Sequence, residues 1–135
     1  MKYEILEHTA DLKIKAYGKS LEELFMNAAR GLMSVMYEEE SSKEGKEVSD
    51  VVLETSGPDK EALLVNWLSD ILLESDTRNV YCFDFSIHTI NEQKISSTMK
   101  CIKSVAKEDV KAITYHGLTI KKHNGKLEAT ILVDV

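Results

Sequence analysis

The end of the chain carries the pattern that most limits its fold. Asn124 and Gly125 form the strongest short hairpin signal, because both central residues of such a turn must take a positive φ angle. After the turn, apolar and polar residues alternate to the last position, and the apolar set is Leu127, Ala129, Ile131, Val133 and Val135. This period of two predicts a half-buried strand over residues 126–134, paired with a strand over 118–122. We therefore expect an antiparallel sheet in which the chain is ordered to its final residue.

The same period of two appears in several earlier segments. Residues 3–6, 12–17 and 51–55 are predicted to be strands, and two longer runs flank a turn at residues 91–93. In the first long run the residues predicted to share one face are Tyr81, Phe83, Phe85 and Ile87. In the second run they are Ile95, Ser97, Met99 and Cys101. These two runs are expected to pair antiparallel.

Two segments show helical periodicity instead. Ser20 and Glu23 have the spacing of a capping box, and apolar residues recur at helical spacing to Met36. Pro58 suits the first position of a second helix, whose apolar stripe includes Trp67, a predicted core residue. We predict helices over about 20–36 and 58–75. The charged residues 37–50 between them read as a solvated, mobile loop.

Antiparallel hairpins with helices grouped between them indicate the α+β class. We expect one domain over residues 1–135, a sandwich of mainly antiparallel sheet with two main helices. A chain of 135 residues has the usual length of one domain and can bury a sizeable core.

Composition narrows the function classes. The net charge of −6 argues against broad nucleic-acid binding, which depends on clustered Lys and Arg. No segment approaches the roughly twenty apolar residues of a membrane helix, and residues 1–8 lack the plan of a signal peptide. We therefore expect a cytoplasmic protein with no membrane partner. Cys82 and Cys101 have no metal-ligand spacing, which favours reduced, packed thiols.

The common catalytic motifs are absent from the sequence. It contains no GxSxG, GxxxxGK[ST], HExxH or GxGxxG pattern. This argues against the hydrolases, NTPases, zinc proteases and dinucleotide-binding proteins that these motifs identify. The four histidines, His8, His88, His116 and His123, do not fall at metal-ligand spacings along one element.

The terminal strand nevertheless suggests a metal site. Asp134 and the main-chain carboxylate of Val135 place several hard oxygen atoms close together. If Asp11 lies in a neighbouring strand, three carboxylates converge, and like charges at that distance require protons or a cation. Hard oxygen donors suit Ca²⁺ or Mg²⁺ better than zinc. The alternative is that Asp11 ends a turn and Asp134 is a solvated terminal charge.

Five segments taken together resemble the archease family over essentially the whole chain. They are residues 8–11 (HTAD), 20–32 (SLEELFMNAARGL), 66–72 (NWLSDIL), 111–116 (KAITYH) and 133–135 (VDV). The resemblance implies a protein cofactor that is not itself an enzyme. Its partner would be the RtcB-type tRNA-splicing RNA ligase, whose guanylylation and multiple turnover it promotes. tRNA would be contacted only indirectly, through the ligase.

The resemblance also implies roles for particular residues. A divalent cation, calcium in the usual description of the family, would be held by Asp11, Asp134 and Val135; magnesium and manganese are alternatives. Lys111 matches the family's functional lysine, and with His116 and His8 it would contact the partner. Lys13 and the loop over residues 37–50 depart from the family's pattern, and the loop leaves the shape of the partner surface open.

Two other functions remain as alternatives. The same carboxylates could activate water in a small metal-dependent hydrolase, although no clear general base accompanies them. A general adaptor or chaperone in RNA processing would use the acidic face to shield a basic surface without a metal.

Overall fold

The computed structural model describes residues 1–7, 11–38, 45–115 and 117–135, and it confirms the α+β class. The elements of these segments are β1 (Tyr3–Glu7), β2 (Asp11–Gly18), α1 (Leu21–Met36), β3 (Ser49–Ser56), α2 (Lys60–Arg78), β4 (Val80–Ile90), β5 (Lys94–Lys103), β6 (Ala112–Thr114), β7 (Ile120–His123) and β8 (Lys126–Asp134). Within the predicted mobile loop over 37–50, residues 39–44 lie outside the described residues, and the last two residues of the loop belong to β3.

The strands form two antiparallel sheets. The first has the order β1-β2-β8-β6, with β7 also paired to β8, and the second has the order β3-β5-β4. The predicted pairing of β4 with β5 is confirmed. The Asn124-Gly125 turn is confirmed as well, since both residues have positive φ angles, of 51° and 76°. The last strand therefore lies inside a sheet, where it pairs on both sides.

Local capping explains where α1 begins. Ser20 has extended backbone angles, and its hydroxyl accepts a hydrogen bond from the Glu23 amide at 3.1 Å. The Glu23 carboxylate accepts in turn from the amide of Lys19 at 3.3 Å. The Ser20 contact satisfies an amide that has no partner within the first turn of the helix, and the Lys19 contact fixes the residue before the cap. The predicted first helix is confirmed.

The second helix differs from its prediction at both ends. Asp59, not Pro58, adjoins the first turn, and its carboxylate accepts from the Ala62 amide at 2.8 Å. Pro58 lies just outside the helix. At the other end, α2 continues three residues beyond the predicted position 75, because the chain turns only at Asn79, which has a φ angle of 55°.

Both helices lie between the two sheets. In the first sheet α1 packs against β1, β2 and β8, and in the second it packs against β4. In the same way, α2 packs against β6 and against all three strands of the second sheet. Trp67 is fully buried in this layer, as predicted, with its ring 5.7 Å from that of Phe25 and its indole N–H donating to the Ser97 hydroxyl at 2.9 Å. The fold is a three-layer sandwich of sheet, helices and sheet.

A bulge in β4 overturns one prediction. Asp84 has a φ angle of 48°, and the register with β5 shifts between Phe83 and Ser86. An extra residue in one strand reverses the side to which later side chains point. Phe83 stacks on Tyr81 at 5.8 Å, whereas Phe85 enters the core. The prediction that Tyr81, Phe83, Phe85 and Ile87 share one face is therefore wrong.

Cys82 and Cys101 face each other across β4 and β5. Their thiols are free and buried, with the two sulfur atoms 3.5 Å apart. The contact with Cys101 and burial raise the pKa of the Cys82 thiol. Both helices have too little continuous apolar length to cross a membrane in the part of the chain described here.

Candidate metal centre

Strand register brings the two aspartates of the predicted metal site together. Antiparallel pairing of β2 with β8 puts Asp11 directly opposite Asp134, next to the pair formed by Leu12 and Val133. Directly opposed side chains lie on the same face of a sheet, with main chains about 4.5–5.5 Å apart. Val133 is fully buried and Asp134 is exposed, so the two carboxylates lie on the outer face of the first sheet. The Asp11 side chain is half-buried.

The main chain at Asp134 is held on its other side as well. Ala112 of β6 pairs with Asp134, and the amide of Lys111 donates to the Asp134 carbonyl at 2.8 Å. The end of β8 therefore lies between two neighbouring strands. This pairing restrains the positions of Asp134 and the following residue, Val135, which is half-buried.

Within the described residues the two carboxylates have no ion-pair partner. The salt bridges of these residues involve other side chains, such as Lys15 with Glu128 at 3.7 Å. At a separation of about 5 Å, two unit charges repel by roughly 1 kcal/mol in water and by about 3 kcal/mol at an effective dielectric constant of 20. Among the described residues, the outer face at this end of the sheet thus carries two negative charges that no direct ion pair compensates.

The donor set suits a hard divalent cation. Asp11 and Asp134 supply carboxylate oxygens from two strands, and Val135, the third predicted ligand, follows Asp134 in the chain. Calcium takes six to eight oxygen ligands, many of which can be water, and magnesium also prefers oxygen. Among the described residues, groups of three or more His, Cys, Asp or Glu side chains suitable for a metal do not occur. A cation here would be coordinated by two side chains and one main-chain group.

The predicted partner-binding residues are only partly described. Lys111 has an exposed side chain and lies beside the aspartate pair through its amide contact with Asp134. His8 and His116 lie outside the described residues. Lys13 is exposed two residues along β2 from Asp11, so it lies on the same outer face. This lysine, noted above as a departure from the family pattern, therefore borders the candidate site.

Sequence analysis did not predict β6, the strand that completes the site. It has three residues, of which only Ile113 is buried. A single apolar residue gives no detectable period, so the only signal for this segment was its place in a motif of the archease resemblance.

The family relationship is evident over nearly the whole chain. A model of the Archease protein family (MTH1598/TM1083) matches residues 3–135. A protein archease of Methanosarcina mazei is 38% identical over 143 aligned positions, which cover 99% of this chain and 96% of that protein.

Two solved structures share the fold. The solution structure of Methanobacterium thermoautotrophicum protein 1598 has a TM-score of 0.73 and 26% identity, covering 98% of each chain. A Thermotoga maritima crystal structure, described as an archease and possible chaperone, has a TM-score of 0.70 and 21% identity, covering 96% of this chain and 94% of that one. The agreement of the family model, the sequence relative and the fold shows that this chain belongs to the archease family.

Proposed function

We propose that this protein is a cytoplasmic, non-enzymatic accessory protein that binds a divalent cation and activates an RtcB-type tRNA-splicing RNA ligase. It promotes guanylylation of the ligase and its repeated turnover. Asp11, Asp134 and the main chain of Val135 hold the cation, which is calcium, with magnesium and manganese as alternatives. Lys111, His116 and His8 contact the ligase, and tRNA is reached only through it.

The observation that carries this proposal is the pairing of Asp11 with Asp134. Membership of the archease family supports the general role. The pairing supports the cation site, because it brings two opposed carboxylates onto the outer face of the first sheet, where neither has an ion-pair partner among the described residues. The net charge of −6 further supports a role in which a partner holds the RNA.

The strands around the site hold the proposed metal ligands in position. Pairing with β2 and β6 restrains the main chain at Asp134, so its carboxylate is presented at a defined place. A cation held by Asp11, Asp134 and Val135 would supply positive charge that compensates the carboxylates and would favour developing negative charge on a phosphate group of the partner's substrate. Lys111 stands beside the aspartates as a second cationic group, able to donate to a partner carboxylate or phosphate.

Multiple-turnover RNA ligation by a cognate ligase tests the proposal. Wild-type protein should stimulate turnover, whereas Asp11→Asn, Asp134→Asn and a version extended by several residues after Val135 should lose most of the stimulation. Asp76→Asn, on the exposed side of α2, is the matched control and should stimulate as wild type does. Full stimulation by all three altered proteins would remove the site from the mechanism.

Two further measurements separate the alternatives. A hydrolase would turn over GTP or RNA without the ligase, so activity of the isolated protein would contradict the accessory role. An adaptor that needs no metal would keep its effect when calcium is chelated and the ligase's own metal is supplied separately.

A further inference from the structure

The sandwich is open on one side, where an edge strand of the first sheet faces an edge strand of the second sheet. β1 is the edge of the first sheet and β4 is an edge of the second, with α1 between them. A cleft of about 600 Å³ lies here, with Tyr3 on one wall, Asp84 on the other, and Arg30, Met33 and Ser34 of α1 as its floor. This volume lies within the range of about 300–1,000 Å³ that is typical of small-molecule sites. The cleft contains none of the metal-site residues.

Arg30 is held in place at the floor of this cleft by an uncharged chain of hydrogen bonds. Its guanidinium donates to the Asn27 side-chain oxygen at 2.7 Å, and the Asn27 amide group donates to the Tyr17 carbonyl, also at 2.7 Å. Asn27 is 3% exposed, so this amide is an ordered buried group. In the part of the chain that the structure describes, the Arg30 guanidinium has no carboxylate partner.

The other arginine of the chain shows the contrast. Arg78 lies 3.5 Å from the Glu74 carboxylate and donates to the Ser49 hydroxyl at 3.0 Å, so its charge is compensated within the fold. Arg30 is also held by a hydrogen bond, to Asn27, but no carboxylate among the described residues compensates its charge. A half-buried, oriented guanidinium without a counterion is suited to an anion with several oxygen atoms.

The walls of the cleft add positive charge. Lys2 and Lys107 line it together with Arg30. Of the two acidic residues, Glu38 has an 85% exposed side chain lying 3.9 Å from Lys107, and Asp84 is exposed at the β4 bulge. The cleft is therefore locally cationic on a protein of net charge −6. A main-chain amide also lies at the cleft, where Cys82 donates to the Met33 sulfur at 3.4 Å.

The remaining lining includes five aromatic residues, of which Tyr3 and Tyr81 are partly exposed and Tyr37, Phe83 and Phe85 are buried. Exposed aromatic rings contact planar bases, and the cationic floor binds phosphate oxygens. We propose that this cleft binds a nucleoside monophosphate, with its phosphate on Arg30 and its base against Tyr3 and Tyr81. A free nucleotide fits better than a polynucleotide, because the volume accommodates about one nucleotide and the net negative charge repels additional phosphates.

Titrations of the isolated protein test this inference without the ligase, so its outcome is independent of the function proposed above. AMP and GMP should produce saturable shifts of the Cys82 amide and Arg30 side-chain signals in ¹⁵N-edited NMR spectra. Adenosine and inorganic phosphate should each bind at least about tenfold more weakly, because each lacks one half of the ligand. A short oligonucleotide with a 5′-phosphate should bind no more tightly than AMP.

Substitutions identify the site. Arg30→Met should weaken AMP binding by about tenfold or more, since a charge-assisted hydrogen bond is lost. Lys107→Met, in an exposed side chain that tolerates change, should weaken it by a smaller factor. Lys121→Met, on the exposed β7 edge away from the cleft, is the control and should leave the affinity unchanged.

Several results would overturn the proposal. These are the absence of saturable shifts with AMP and GMP, phosphate or adenosine binding as tightly as AMP, and unchanged AMP affinity in folded Arg30→Met and Lys107→Met proteins. Tighter binding of the oligonucleotide than of AMP would overturn the choice of a free nucleotide.

Discussion

At the residue scale, the side to which one side chain points decides what it can do. Asp11 and Asp134 meet on the outer face because Leu12 and Val133 are paired on the inner face. A slip of one position between β2 and β8 would move an aspartate toward the core and a buried apolar residue toward solvent. The cost of that exchange protects the register, and the register in turn creates the carboxylate pair.

Tyr17, on the same outer face, gives a pH-dependent prediction. Its hydroxyl donates to the Glu4 carboxylate at 2.7 Å, and this bond, with smaller contributions from burial and negative charge, raises the pKa of Tyr17 to about 12. Glu4→Gln should return the Tyr17 pKa toward the ordinary value of about 10. Spectrophotometric titration of phenolate absorbance measures it, with Tyr17→Phe identifying the transition.

The sign of the linked stability follows from the direction of this shift. A folded-state pKa above the unfolded value gives a contribution that is complete below about pH 10 and is lost as the pH rises through about 12. Wild type should therefore lose more stability than the Glu4→Gln protein over this interval. Identical titration curves for the two proteins would contradict the assigned hydrogen bond.

At the element scale, α1 is determined by its caps and by how closely it approaches β2. Gly31 faces Ile14 of β2, where an added Cβ atom would lie 2.6 Å from the Ile14 Cγ2 atom and 3.3 Å from the Tyr3 ring. Ile14 is fully buried, so it has little room to move. Glycine has a low helix propensity, but at this position it permits a close contact between the helix and the sheet.

Gly31→Ala should therefore destabilise the protein, although alanine is favoured over glycine by about 1 kcal/mol inside a helix. Overpacking costs typically 1–3 kcal/mol, so we expect a net loss of roughly 1 kcal/mol in the free energy of unfolding. Urea denaturation measures it. Glu22→Ala, exposed on the first turn of the same helix, is the control and should change the stability by less than about 0.5 kcal/mol. A more stable Gly31→Ala protein would show that β2 yields at this contact.

At the scale of the whole molecule, the sandwich joins distant parts of the chain at one sheet edge. The strand that ends the chain, β8, lies between β2 from the N-terminal region and β6. A cation at Asp11 and Asp134 would therefore bridge two strands that unfolding separates. Binding to the folded state alone stabilises it by an amount that depends on ligand concentration.

Calcium should raise the unfolding free energy of wild-type protein, by about 2.7 kcal/mol at one hundred times the dissociation constant. Chelation should remove this gain. The Asp11→Asn and Asp134→Asn proteins should gain little from calcium, and without a cation they should be at least as stable as wild type, because one member of a repelling pair is neutral. Thermal unfolding with and without calcium measures both effects. An equal calcium effect in wild type and both variants would contradict the site.

Much of the fold was predictable because its signals are local. The Asn124-Gly125 turn, the Ser20 cap and the alternation in β8 each depend on neighbouring residues whose backbone preferences act in every context. The outward position of Asp134 followed from the same alternation. Half of the candidate site could therefore be predicted from residues close together in the sequence.

The other half depended on tertiary structure. The opposition of Asp11 to Asp134, the short β6 and the bulge at Asp84 all depend on which strands pair and in what register. The cleft at Arg30 exists only because edge strands of two sheets face each other across a helix. The sequence alone determined the elements and the faces they bury, since periodicity and capping are short-range. Tertiary structure decided which charges meet, because that depends on burying the apolar faces of all the elements together.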